Sequence, residues 1–93
     1  MLTLTEPAAD HLLQRLKRAK APRERAVRFL PGDRSVSTKI DRPGPGDTAI
    51  RHGDRTVALL DREAARRLAG MTLDVEETEE GTELILLPSP VTA

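Results

Sequence analysis

The stretch from Asp61 to Glu76 constrains the fold more than any other part of the chain, because it predicts a short helix followed at once by a strand. Asp61 suits the N-terminal cap of a helix, and Gly70 permits the positive φ with which many helices end. A helix is therefore predicted over Arg62–Ala69 and a strand over Met71–Glu77. Such a segment is typical of a domain that packs short helices against a sheet.

The other predicted elements follow from apolar periodicity and from turn residues. Apolar side chains repeat at helical spacing from Ala8 to Leu16, so a first helix is predicted from Glu6 to about Ala19, with Thr5 as its N-cap. Alternating or apolar runs predict strands at Leu2–Leu4, Ala26–Leu30, Ser35–Ile40, Thr48–Arg51, Thr56–Leu60 and Thr82–Leu87. Gly53, in the turn His52-Gly53-Asp54, supplies the positive φ that a tight hairpin needs. The prolines of Asp41–Asp47 predict a rigid, exposed loop.

This order of elements predicts one α+β, strand-rich domain over residues 1–93. We expect a small β-sandwich or half-barrel with two helices packed at its side, and a frayed tail from about residue 88. Phe29 is the only aromatic residue among the 93, so the core must consist of Leu, Val, Ile and Ala. A chain of this length has a modest core, which a homodimer interface would help to stabilise.

The absence of cysteine excludes disulfides, thiolate metal sites and thiol catalysis. No apolar run approaches the length of a membrane span, and the first residues lack a signal-peptide pattern. We therefore expect a cytoplasmic protein with no membrane partner.

Charge is balanced overall, at 15 basic and 15 acidic residues, but it is unevenly distributed. Residues 1–46 carry a net charge of +5, and residues 47–93 carry −5. Two solvated faces explain this pattern most simply, and the alternatives are a partner surface or head-to-tail self-association. The residues predicted for a partner surface are Asp74, Glu76, Glu79, Glu80, Glu83, Arg15 and Arg18.

Several motifs together resemble the HesB/IscA-like family, the A-type carriers of iron–sulfur cluster assembly. The Asp61–Glu76 segment is similar to the family's capped helix, Leu-x-Gly stop and following strand. The opening Leu2–Ala9 is similar to its I-T-L-T start of helix one, and Asp41–Asp47 to its D-E-P-x-x-x-D loop. Leu86-Leu87-Pro88 stands where the family has F-x-N-P. The resemblance covers nearly the whole chain and implies the carrier fold.

The family's ligands do not carry over to this chain. Its first cysteine lies in a Gly-rich loop that corresponds here to Pro31–Ser35, and its closing C-G-C would lie beyond Pro88, but neither region has a cysteine. Iron–sulfur clusters are held by thiolates, so no cluster ligand and no cofactor is predicted. The resemblance then implies a non-enzymatic domain that acts through protein contacts, as an adaptor or regulator in cluster assembly.

Two alternatives remain open. His11 and His52 could serve a metal- or ligand-binding module together with carboxylates, although no multi-histidine metal motif is present and exposed histidines are the simpler expectation. The basic residues of helix one could contact nucleic acid, but no aromatic platform accompanies them. An enzyme is not predicted, because Ser35 and Ser37 lack a nucleophile-elbow motif. Gly44-Pro45-Gly46 has too few N–H groups to cradle a phosphate.

Overall fold

The computed structural model of the protein describes residues 1–33 and 36–88. The described elements, in chain order, are β1 (Thr3–Leu4), α1 (Glu6–Arg18), β2 (Ala26–Pro31), β3 (Val36–Asp41), β4 (Thr48–His52), β5 (Arg55–Leu60), α2 (Arg62–Arg67), β6 (Met71–Thr78) and β7 (Gly81–Pro88). Both predicted helices and every predicted strand are present. The predicted role of Ser35 as a strand residue lies outside the described residues, as does the predicted frayed tail beyond Pro88.

The strands form two mixed sheets. One sheet has the order β1-β6-β7, with β1 parallel to β6 and β7 antiparallel to β6. The other has the order β3-β2-β5-β4, with β2 parallel to β5 and the two remaining pairs antiparallel. The prediction of a strand-rich α+β fold with two helices is confirmed.

Helix α1 supplies much of the core, and it packs against strands of both sheets. Its N-terminus is fixed by Thr5, whose hydroxyl accepts a hydrogen bond from the Ala8 N–H at 3.2 Å. Leu12 and Leu16, one turn apart on the inward face, have no solvent-exposed surface. No helix in the described ranges is long and apolar enough to cross a membrane.

Helix α2 is two residues shorter than predicted, because it ends at Arg67 with Leu68 as its C-cap. The last turn tightens, and the N–H of Ala69 bonds to the carbonyl of Arg66, three residues earlier. Gly70 has φ of 77° and redirects the chain into β6, as its place after the helix predicted. Leu68 is 5% exposed and still reaches the core.

Candidate functional site

The exposed glutamates of the β6–β7 hairpin form an acidic surface. We call Glu76, Glu77, Glu79, Glu80 and Glu83 the acidic hairpin; all five are exposed. Glu76 lies opposite Glu83 in the antiparallel pair, and Glu79 and Glu80 form the turn between the strands. Within residues 1–33 and 36–88, no ion pair involves any of these five carboxylates. Among these described residues, no neighbouring cation therefore neutralises their negative charge.

Asp74, which was grouped with these glutamates in the predicted partner surface, has a different environment. It is half-buried, and its carboxylate accepts hydrogen bonds from the Thr5 hydroxyl at 2.8 Å and from the Val75 N–H at 2.8 Å. The Thr5 hydroxyl and then the Val75 N–H hold the pKa of Asp74 below its usual value. Asp74 thus connects β6 to the start of α1, and its role in partner binding stays a prediction.

The basic surface lies at the C-terminal end of α1. We call Arg15, Lys17, Arg18 and Lys20 the basic helix end; all four are exposed, and none forms an ion pair in the described part of the chain. The helix begins beside Asp74 on β6 and rises about 1.5 Å per residue, so Arg18 lies roughly 20 Å along the helix from Thr5. The acidic and basic residues of the predicted partner surface therefore do not form one continuous site around Asp74.

The histidines are less exposed than predicted. His52 is 27% exposed at its side chain, and its Nε2 lies 2.7 Å from Oδ1 of Asp10. This contact joins β4 to α1, and His52 is the last residue of β4, whereas the sequence predicted it as part of the turn His52-Gly53-Asp54. His11 is half-buried. Among the described residues there is no group of three or more His, Asp or Glu side chains that could hold a metal ion.

Sequence reasoning missed a charged cluster around Arg28 on β2. Arg28 donates through Nε to Asp41 at 2.8 Å, and through Nη1 and Nη2 to the two oxygens of Asp47 at 3.0 and 2.6 Å. Its Nη2 also donates to the carbonyl of Arg42 at 3.0 Å. The predicted exposed loop is exposed over residues 42–46, but Asp47 at its end has a side chain only 7% exposed. The prolines predicted a rigid loop, but they did not predict that Asp41 and Asp47, at its two ends, bind the same arginine.

A cavity of about 420 Å³ opens between the two sheets. Its sides are formed by β2 and β3 of one sheet and by β6 and β7 of the other, and the end of α2 lies at one margin. The lining residues are mainly apolar. The apolar ones are Phe29, Pro31, Gly32, Val36, Leu68, Leu73, Leu84 and Leu86, and the polar or charged ones are Asp33, Thr38 and Arg67. The sequence predicted no ligand pocket here, since the lining residues come from five separate segments.

Comparisons with known proteins identify the architecture. No protein-family model and no curated protein sequence matches the chain. The crystal structure of Escherichia coli SufA, described as involved in biosynthesis of iron–sulfur clusters, superimposes with a TM-score of 0.71 at 21% identity, covering 94% of this chain and 84% of SufA. The crystal structure of IscA with the [2Fe-2S] cluster superimposes with a TM-score of 0.63 at 24% identity, covering 95% of this chain and 85% of IscA. At these identities the likeness concerns the fold, and this cysteine-free chain has the HesB/IscA-like fold.

Proposed function

We propose that this chain is a non-enzymatic HesB/IscA-like domain that acts through protein–protein contacts, as an adaptor or regulator in iron–sulfur cluster assembly. The observation that carries the proposal is that two charged surfaces of opposite sign, the acidic hairpin and the basic helix end, form no ion pairs within residues 1–33 and 36–88. Charged surfaces of opposite sign steer association and select partners more than they add affinity. A domain with two such surfaces is suited to binding proteins of complementary charge.

The chemistry of the chain supports a role without a cluster of its own. SufA and IscA are two proteins whose fold it shares, and the latter was crystallised with a [2Fe-2S] cluster. Iron–sulfur clusters are held by cysteine thiolates, and none of the 93 residues is cysteine. The scaffold without these ligands supports a role in contacts with other proteins.

Charge reversal at each surface tests the proposal. The variant Glu79→Lys/Glu80→Lys reverses the tip of the acidic hairpin, and Glu24→Lys/Glu63→Lys makes the same change in charge at exposed residues elsewhere. Cross-linking and mass spectrometry in the native host should recover cluster-assembly proteins with the wild type and the control. The hairpin variant should lose those partners. Equal recovery of the same proteins by all three forms would contradict a role for the hairpin.

The basic helix end has a corresponding test. Arg15→Glu/Arg18→Glu reverses two of its four cations, and Arg42→Glu/Arg66→Glu is the matched control at exposed arginines of β3–β4 and α2. Partners held by this surface should be lost only with the first variant.

A separate anaerobic reconstitution with iron and sulfide should give no stable chromophore, whereas a stoichiometric cluster would overturn the proposal of a cluster-free role.

A further inference from the structure

The inter-sheet cavity has the size and lining of a small-molecule site. Its volume, about 420 Å³, lies within the range of about 300–1,000 Å³ that is common for such sites. Leu68 and Leu73 form part of its inner wall and are 5% and 3% exposed, while Leu84 and Leu86 on β7 are half-buried. An apolar group in the cavity would therefore cover leucine surface that the fold leaves in contact with water.

The opening of the cavity follows from the sheet topology. β3 is an edge strand of one sheet and β7 is an edge strand of the other, and both contribute to the lining. The two edges are not hydrogen-bonded to each other, so no backbone ladder closes the sandwich along this side. Phe29 is the only aromatic residue of the chain and of the lining, and the other large apolar side chains in the gap are those of Pro31, Val36 and four leucines.

A cation lies at the rim of the cavity. Arg67, at the end of α2, is exposed, and its Nη1 makes a long hydrogen bond of 3.4 Å to the carbonyl of Pro31 across the rim. Within the described ranges Arg67 forms no ion pair, whereas its neighbour Arg66 is paired with Glu63. The guanidinium of Arg67 thus retains donors for an anionic group. Asp33, the one acidic residue of the lining, is exposed and would oppose such a group.

We propose that the cavity binds an amphiphilic carboxylate, with its apolar tail between the sheets and its carboxylate on Arg67. A guanidinium matches a carboxylate in geometry and charge, and a charge-assisted hydrogen bond is stronger than a neutral one. This inference goes beyond the proposed function and uses none of the residues of the two charged surfaces, so either can fail without the other.

Three ligands with chains of ten carbons, the carboxyl carbon of decanoate included, separate the contribution of the head group. Decanoate, decanol and decyltrimethylammonium would each be titrated into the full-length protein by calorimetry, below their micellar concentrations. Decanoate should bind tightest and decyltrimethylammonium weakest. Along a series of carboxylates from hexanoate to decanoate, the affinity should rise by up to about fourfold per methylene. Equal affinity for all three head groups would overturn the assignment of the carboxylate to Arg67.

Substitutions at the rim have matched controls. Arg67→Gln should weaken decanoate binding by about two- to fivefold and leave decanol binding unchanged, because an exposed charge contact contributes modestly. Arg66→Gln, which changes the adjacent arginine outside the lining, should bind decanoate like the wild type. Asp33→Asn should strengthen decanoate binding by removing the like charge. If Arg66→Gln and Arg67→Gln behave alike, the proposed position of the carboxylate is wrong.

Filling the cavity tests the position of the tail. Leu86→Trp should reduce the binding of all carboxylates in the series, whereas Leu87→Trp should not, because consecutive strand residues point to opposite faces and Leu87 lies outside the lining. Methyl NMR gives a second measurement on the unaltered protein. Decanoate should shift the methyl signals of Leu84 and Leu86. The methyl signals of Leu12 and Leu59, which lie outside the lining, should stay unchanged. Shifts confined to other methyl groups would exclude this cavity as the site.

Discussion

Arg28 and Asp47 form a two-pronged ion pair, with Nη1 to Oδ1 at 3.0 Å and Nη2 to Oδ2 at 2.6 Å, between side chains only 12% and 7% exposed. The same guanidinium donates through Nε to Asp41, the last residue of β3. One arginine on β2 therefore holds both ends of the proline-containing loop over residues 42–46. β4 begins directly after Asp47, so the pair lies at the junction between the loop and this strand.

Removing the carboxylate of this pair should destabilise the protein substantially. In Asp47→Ala the Arg28 guanidinium loses two charge-assisted hydrogen bonds while it remains covered by the surrounding chain. We expect a loss of about 2–3 kcal/mol in the free energy of unfolding, measured by urea denaturation.

The matched control for that variant is Asp54→Ala. Asp54 also pairs with an arginine, Arg23, but the two side chains are 86% and 69% exposed. An exposed pair contributes little to stability, so the urea midpoint of this control should stay close to that of the wild type. If the two variants had the same free energy of unfolding, the burial of the Arg28–Asp47 pair would make no difference to stability.

The same cluster predicts a loss of stability in acid. Hydrogen bonds from Arg28 hold the pKa of Asp47 below its usual value against the opposing effect of burial, and the Gly44 N–H contributes to the same lowering. The pKa of Asp41 is also lowered, by the Arg42 N–H and then by Arg28. Because both carboxyls bind protons more weakly in the folded state, their stabilising contribution is complete above about pH 5 and is lost as the pH falls through their folded pKa values.

Urea midpoints between pH 7 and pH 3 measure this dependence. The wild type should lose stability toward pH 3, and Asp47→Asn should show a shallower loss because it removes one of the coupled carboxyls. An unchanged slope in Asp47→Asn would mean that other acidic groups govern the acid limb.

The sequence predicted the elements whose signals are local. Thr5 and Asp61 each accept a hydrogen bond from the N–H three residues later, at 3.2 and 2.7 Å, as their capping positions predicted. Gly53 and Gly70 have φ of 67° and 77° at the hairpin turn and after α2. The family resemblance predicted the overall fold, since these capped and glycine-terminated segments stand in the order of the carrier scaffold.

Features that join distant segments could not be derived in this way. The Arg28–Asp47 pair spans 19 residues, and the His52–Asp10 contact spans 42. Periodicity assigns a residue to a face, but it does not show which residue of another element lies opposite. The inter-sheet cavity depends on the same information, because it exists only once β3 and β7 are placed at the edges of separate sheets.

Leu68 should be the main apolar contribution of the α2 segment to the core. It is 5% exposed as the C-cap of the helix and also lines the cavity. Leu68→Ala should cost about 2–5 kcal/mol by loss of burial and packing. Chemical denaturation measures the loss, and Leu87→Ala, at a leucine 42% exposed, is the control. A cost below about 0.5 kcal/mol, typical of surface changes, would contradict the placement of Leu68 in the core.

Thr5 should stabilise the start of α1 through its hydroxyl, which accepts from the Ala8 N–H and donates to Asp74. In Thr5→Ala both hydrogen bonds are lost, and we expect a cost of about 1–2 kcal/mol, the size measured for lost N-caps. Each kcal/mol should lower Tm by about 4–8 °C in a domain of this size, which thermal unfolding would detect. Thr5→Ser keeps the hydroxyl and should remain close to the wild type. If serine were as damaging as alanine, the lost methyl group and its packing, rather than the cap and the contact with Asp74, would account for the effect.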